Sequence, residues 1–215
     1  MNDQEIEIIN KETQKEKIVN FFKKNLKKII TLISILLLLI LSFFLYQIYI
    51  KENKQQLAEK YNSAVINFES KNNEKIASIM KEIVNERDKT YSPLALYFLI
   101  DNKLDTNKEE TNKLFDILIE KTKLEKEIKN LVIYKKALFN SDEANENDLI
   151  MILNPIFNSE SVWKSHALYL MAEYFYYKNE KMKAKEFFEK ILTTETGNRD
   201  IKVEAQKRLN RDFSE

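Results

Sequence analysis

The chain has 215 residues, with one Gly (Gly197), two Pro (Pro93 and Pro155), one His (His166) and no Cys. Hairpin sheets and phosphate-cradling loops need glycine at special backbone angles, and thiolate metal sites, disulfides and lipidated cysteines need sulfur; the first are argued against and the second excluded. With 35 basic and 34 acidic residues the net charge is +1, which offers nucleic acid no electrostatic footprint.

Residues 1–28 form a charged tail with seven Lys against five acids, ending in Lys23-Lys24-Asn25-Leu26-Lys27-Lys28. Ile6, Ile9, Ile18, Phe21 and Phe22 give it a weak apolar stripe. Its basic end suits anionic headgroups, and a small docking element is the other reading. Ile29 to Ile50 carry no charge at all. At about 1.5 Å per residue that run spans roughly 33 Å, against a hydrocarbon core of about 30 Å. Thr31, Ser34 and Ser42 can bond carbonyls one turn back, and Tyr46 and Tyr49 sit where headgroups begin. The run is too long for a signal-peptide core and lacks a small-x-small cleavage site, so it reads as an uncleaved anchor. Lys11, Lys15, Lys17, Lys23, Lys24, Lys27 and Lys28 precede it; Lys51, Lys54 and Lys60 follow. Positive charge stays in the cytosol, which places the N-terminus inside and residues 51–215 outside.

From residue 51 the apolar period is close to that of a helix almost throughout. Leu57, Tyr61, Ala64, Val65 and Phe68 make one stripe; after the Lys71-Asn72-Asn73 break, Ile76, Ile79, Met80, Ile83 and Val84 make the next. Ser92-Pro93 reads as a helix start, Ser as N-cap and Pro in the first position, ahead of Leu94, Ala95, Phe98 and Leu99. Thr106 with Glu109, and Thr122 with Glu125, have capping-box spacing. The first precedes Leu114, Ile117 and Leu118; the second precedes Ile128, Leu131, Val132, Lys135, Leu138 and Phe139. Leu149, Ile150, Ile152 and Leu153 form a shorter helix stopped at Asn154-Pro155. The strongest pair begins at Ser161 and ends at Gly197, a left-handed C-cap by this reading. Ile201, Val203, Ala205 and Leu209 mark a final capping helix.

The fold class is therefore all-α: one N-terminal transmembrane helix, then antiparallel helices joined by short polar turns. Pair starts near residues 57, 92, 125 and 161 are spaced like tetratricopeptide units of about 34 residues, which favours a helical-repeat stack over a four-helix bundle. No paired carboxylates, phosphate loop or serine–base arrangement rises above chance, and His166 has no second ligand at suitable spacing. The reading is a non-enzymatic protein with no catalytic residue, cofactor or metal.

The stretch Leu168 to Ile191 resembles a tetratricopeptide repeat residue by residue. Leu168 stands at the first large apolar position, Met171 and Ala172 at the Leu-Gly pair, and Phe175 at the aromatic. Asn179 takes the turn, Ala184 the small contact, Phe188 the large residue after it and Ile191 the next small one. Ala for Gly, Ile for Ala and the missing Pro are departures. The layout as a whole resembles the YfgM-like family, through Tyr91-Ser-Pro-Leu-Ala-Leu, Asn154-Pro-Ile with Val162-Trp163-Lys-Ser-His-Ala167, and Arg199 to Leu209. That family comprises bacterial ancillary subunits of the SecYEG translocon with a tetratricopeptide-like periplasmic domain. The resemblance implies an inner-membrane protein with residues 1–28 cytosolic, 29–50 in the membrane and 51–215 in the periplasm. It also implies contact with SecYEG and a PpiD-type periplasmic chaperone, in aid of newly exported client polypeptides.

In tetratricopeptide stacks the first helix of each pair lines the concave surface. With Leu168, Met171, Ala172 and Phe175 buried, His166, Tyr169, Glu173, Tyr176 and Tyr177 are left facing that groove, as a protein-binding set. Packing of each Tyr against the neighbouring pair is the bland alternative, and Trp163 reads as an anchor between repeats. The competing function is a scaffold for cell-envelope or division machinery, built from the same repeats.

Overall fold

The computed structural model describes residues 3–68, 72–104, 107–195 and 197–213, without the side chains of 3–14, Ile18 and Phe22. The inner tail's stripe, Phe21 apart, thus lies outside the described side chains, as do Lys71 and Thr106. The fold is all-α, with no strand among the described residues. The chain divides into two compact units, residues 1–56 and 57–215.

The first unit is one helix, most of α1 (Asp3–Ile66). Its stretch from Lys23 is long and apolar enough to cross a membrane, and none of that apolar window is buried. The same length and composition suit a membrane span or a signal sequence. Thr31 Oγ1 donates to the Lys27 carbonyl at 2.9 Å, so its hydroxyl is satisfied within the helix.

In the second unit the last turns of α1 are followed by α2 (Asn73–Asn85), α3 (Tyr91–Asp101) and α4 (Lys108–Asp116), which continues as a π-helical turn, Ile117–Lys121. Then come α5 (Lys126–Asn140), α6 (Glu146–Phe157), α7 (Lys164–Tyr177), α8 (Lys181–Thr193) and α9 (Arg199–Asp212). First helices α3, α5, α7 and α9 start 35, 38 and 35 residues apart. Bonds between neighbouring pairs keep the same interval. Ser161 Oγ donates to Glu127 at 2.8 Å, the Asn198 amide donates to Ser165 Oγ at 3.0 Å, and Lys183 meets Glu146 at 2.7 Å; these partners lie 34, 33 and 37 residues apart. Contacts at one-repeat separation are what a stack of equivalent pairs makes. The core runs through it as buried layers, with Met80, Leu96, Phe115 and Leu118 early and Leu153, Met171, Phe175 and Phe188 late.

Helix ends show how a chain with one glycine manages its turns. In α3 the Lys103 and Leu104 amides donate to the Ile100 and Leu99 carbonyls; in α7 the Asn179 and Glu180 amides donate to Tyr176 and Phe175. Both are Schellman closures, and their left-handed residues are Lys103 (φ 53°) and Asn179 (φ 61°). Asn179 is the expected turn residue; Arg87 (φ 56°) fills the third such position, after α2. Gly197 is no left-handed cap, because α8 ends on Thr194 at φ −72° and ψ 119°. A Cβ there would lie 2.7 Å from Cε of the flexible Lys202 side chain, which can swing aside, and 3.3 Å from the Thr194 carbonyl oxygen, a tight backbone contact.

Several other starts and stops differ from the sequence reading. α3 begins one residue before Ser92, with both capping amides, Thr90 and Tyr91, donating to Asp88 Oδ1. Ser92 is buried, its hydroxyl donating to the Ile83 carbonyl at 2.7 Å. The Thr122–Glu125 box does not form, because Thr122 Oγ1 closes the π-turn on the Ile117 carbonyl and Glu125 is itself the N-cap residue of α5. Before α4, Asn107 caps through Glu110 N at 3.0 Å. α6 runs through Pro155 to Phe157: proline removes only the bond to the Met151 carbonyl, on a side where both residues are exposed.

The face of α5 is also turned from expectation. Val132, Ile133, Ala137 and Asn130 are buried, whereas Ile128 and Leu138 are 40% and 48% exposed.

Candidate protein-binding face

Buried positions fix the face that α7 offers. Leu168, Met171, Ala172 and Phe175 point into the core against Ala184, Phe188 and Ile191 of α8. Ala172 and Ala184 are fully buried, and α7 and α8 pack more extensively than any other two helices among the described residues. Small side chains at the crossing allow that approach, and each large buried one adds about 1.5–3 kcal/mol.

The five sequence-predicted residues occupy three settings. Tyr169, Glu173 and Tyr176 come together around Arg208 of α9. The guanidinium donates to Glu173 Oε2 at 3.0 Å, pairs with Asp212 at 3.1 Å and lies 4.4 Å over the Tyr176 ring. Phe213 meets Tyr176 edge-on, and Phe188 meets Tyr169 the same way. Burial, and then Glu173 beside it, push the Tyr169 hydroxyl up to about 12, with Arg208 opposing.

His166 lies instead toward α5, its ring centroid 5.1 Å from Trp163 and 5.8 Å from Tyr134. Trp163 stacks on Tyr134 at 5.9 Å and 20°, so it does sit between repeats. Burial holds the His166 imidazole below its ordinary value, with the Val162 backbone partly offsetting this. Tyr177 stands apart, 83% exposed.

The structure thus joins three of the five through a residue that the sequence reading passed over. A signal for Arg208 was present: the chain uses Lys almost everywhere and Arg only at 87, 199, 208 and 211. A planar guanidinium lies flat on a ring while its fixed fork of donors holds carboxylates at its edge, a geometry that the compact ammonium of lysine does not reproduce. Leu170, half-buried beside Tyr177 at the edge of the same arc of α7, was also missed.

Further first-helix side chains extend this face. Lys135 of α5 lies 4.8 Å over the Tyr97 ring of α3, and Ile128 and Leu138 are open to solvent. Apolar and aromatic area with charged neighbours is the composition of a surface that buries a partner. No group of three or more His, Cys, Asp or Glu among the described residues is arranged to hold a metal ion.

No curated protein and no solved structure gives a significant match to the chain. Residues 19–133 match a family described as a tetratricopeptide repeat-like domain. The match takes in the apolar helix and the pairs through most of α5; α7 and α8, the stretch whose sequence most resembles a repeat, lie beyond it. Such domains are typically non-enzymatic scaffolds for protein–protein interaction. The one-repeat interval of the internal bonds and a match over more than half of the sequence lead to one conclusion: the chain belongs to the tetratricopeptide repeat-like domain family.

Proposed function

We propose that this chain is a membrane-tethered adaptor that binds the SecYEG translocon and periplasmic chaperones of the PpiD type, assisting newly exported proteins. Ile29–Ile50 is its anchor in the bacterial inner membrane, residues 1–28 are cytosolic and residues 51–215 are periplasmic. One observation carries the reading: a single helix, Asp3–Ile66, contains both an uncovered apolar run and the opening turns of the repeat domain. The lysine asymmetry about that run supports the orientation, and the resemblance in layout supports the choice of partners. Tethering confines the binding face near sites of exit and raises its effective concentration there. Partner contact falls on His166, Tyr169, Glu173, Tyr176 and Tyr177, with Tyr177 the most accessible.

The test is a photo-crosslinking side chain at position 177 of the full-length protein in intact cells. Adducts with a translocon subunit and a PpiD-type chaperone are expected. Adducts dominated by wall-synthesis or division proteins, with none to the translocon, would move the function to an envelope or division scaffold. A reporter fused to the C-terminus and active only in the cytosol would overturn the topology.

A further inference from the structure

Second helices of neighbouring pairs leave gaps between them, and two of these gaps differ in chemistry. The gap between α4 and α6 is mixed, about 360 Å³, lined by Lys108, Asn112, Asn140 and Asp148 together with Ala144 and Ile152, and Lys108 pairs at 2.9 Å with Glu143 of the α5–α6 turn. The gap between α6 and α8 is tied at one end by Lys183 and Glu146. Beyond that tie it opens into a cleft of about 560 Å³ floored by Ile150, Phe157, Leu168 and Phe187. A stack held together by ion pairs across such gaps has no structural need for an apolar cleft here.

The rim decides what fits. Glu160, Lys164 and Glu195 line the mouth and form no ion pair among the described residues, whereas Lys190 is taken by Glu186 at 2.6 Å. With Lys190 neutralised, two free carboxylates stand against the single free ammonium of Lys164, and this net negative rim disfavours the carboxylate or phosphate of a lipid amphiphile. An amphipathic helix, in contrast, brings its own charges of both signs beside an apolar stripe. The volume takes about three or four large apolar side chains, the content of two helical turns.

We propose that the α6–α8 cleft is a second docking site, on the second-helix side of the domain, for an amphipathic segment of a partner polypeptide with basic residues flanking its apolar face. The site extends the adaptor reading and is independent of the α7 face, so the two are tested separately.

The probe is a fluorescein-labelled 14-residue helical peptide with Leu at i, i+3, i+4 and i+7 and Lys flanks, titrated by anisotropy against the full-length chain in nanodiscs. Saturable binding is expected, at least tenfold tighter than for a scrambled peptide of the same composition. Ile150→Asp should weaken it at least tenfold, while Leu94→Ser, at an exposed position of α3 outside both faces, leaves it unchanged. Because Ile150→Asp touches the core, a second variant uses exposed positions only. Glu160→Lys with Glu195→Lys should weaken the Lys-flanked peptide and strengthen a Glu-flanked one. Equal binding of the scrambled peptide overturns the proposal, as does loss of binding in Leu94→Ser but not in Ile150→Asp. Saturable binding of palmitate with none of the peptide would assign the cleft to a lipid chain and likewise overturn it. The translocon takes no part in this assay, so failure here leaves the crosslinking result standing, and the reverse.

Discussion

Arg208 is 12% exposed at its side chain, and two carboxylates and two rings take up its planar guanidinium. Lysine in its place would keep the charge and lose the flat stacking of the guanidinium and its fixed fork of donors. Arg208→Lys should therefore cost about 1–2 kcal/mol by chemical denaturation, while Arg199→Lys, on the exposed start of α9, stays within about 0.5 kcal/mol. The same cluster revises the α7 tyrosines. Changing Tyr177 to Ser should spare stability, but Tyr169 and Tyr176 hold α9 and their loss is a folding defect as well as a binding one. His166 gives a pH signature. Burial against Trp163 and Tyr134 lowers its folded value below the ordinary 6.5, so the unfolded chain takes up a proton first as pH falls. Stability is full above about pH 6.5 and declines below it. Glu109, Glu186 and Asp212, held low by Lys113, Lys190 and Arg211, lose their contribution only on further acidification, below their ordinary values of 4.5, 4.5 and 3.8. The fall in thermal midpoint between pH 7 and 5 should shrink in His166→Asn; an unchanged slope would remove the assignment.

At the scale of the element, caps separate what composition shows from what the turn decides. Asn145 accepts from Asp148 N at 3.0 Å and donates to Asp148 Oδ2 at 2.7 Å, a reciprocal cap on α6. Asn145→Ala should cost about 1 kcal/mol, and Glu125→Ala, whose side chain caps nothing, less than about 0.5 kcal/mol; thermal melts of the two variants check the contrast. Thr122 and Glu125 had the right spacing in sequence, yet the π-turn before them shifts the frame by which a cap is counted. α5 misled for a related reason. Its Ile128, Leu131, Leu138 row looks more apolar than the row with Asn130 and Ala137, but neighbours on both sides of a first helix bury the smaller row. Leu168 to Ile191 was legible because large and small apolar residues alternate there at one consistent period.

At the scale of the whole molecule, residues 57–215 form a compact unit with its own buried layers. A fragment of those residues should be soluble and strongly helical by circular dichroism, with one cooperative melt; marked strand content would contradict the fold. Removing α9 from that fragment should lower the melt, since Ala205, Ile201 and Leu209 cover the last pair.

The sequence by itself determined that this protein is helical, that it carries one uncharged run of membrane length, and that its helices recur at a tetratricopeptide interval. Those properties are set locally, by glycine and proline scarcity and by the spacing of apolar residues along one helix. Only the tertiary structure decided which side of α5 is inside, that Arg208 gathers Tyr169 and Tyr176 of α7, and that the gap between α6 and α8 is largely apolar while that between α4 and α6 is mixed. Each of these depends on residues a full repeat apart, and a periodic pattern within one helix says nothing of what the next pair sets against it.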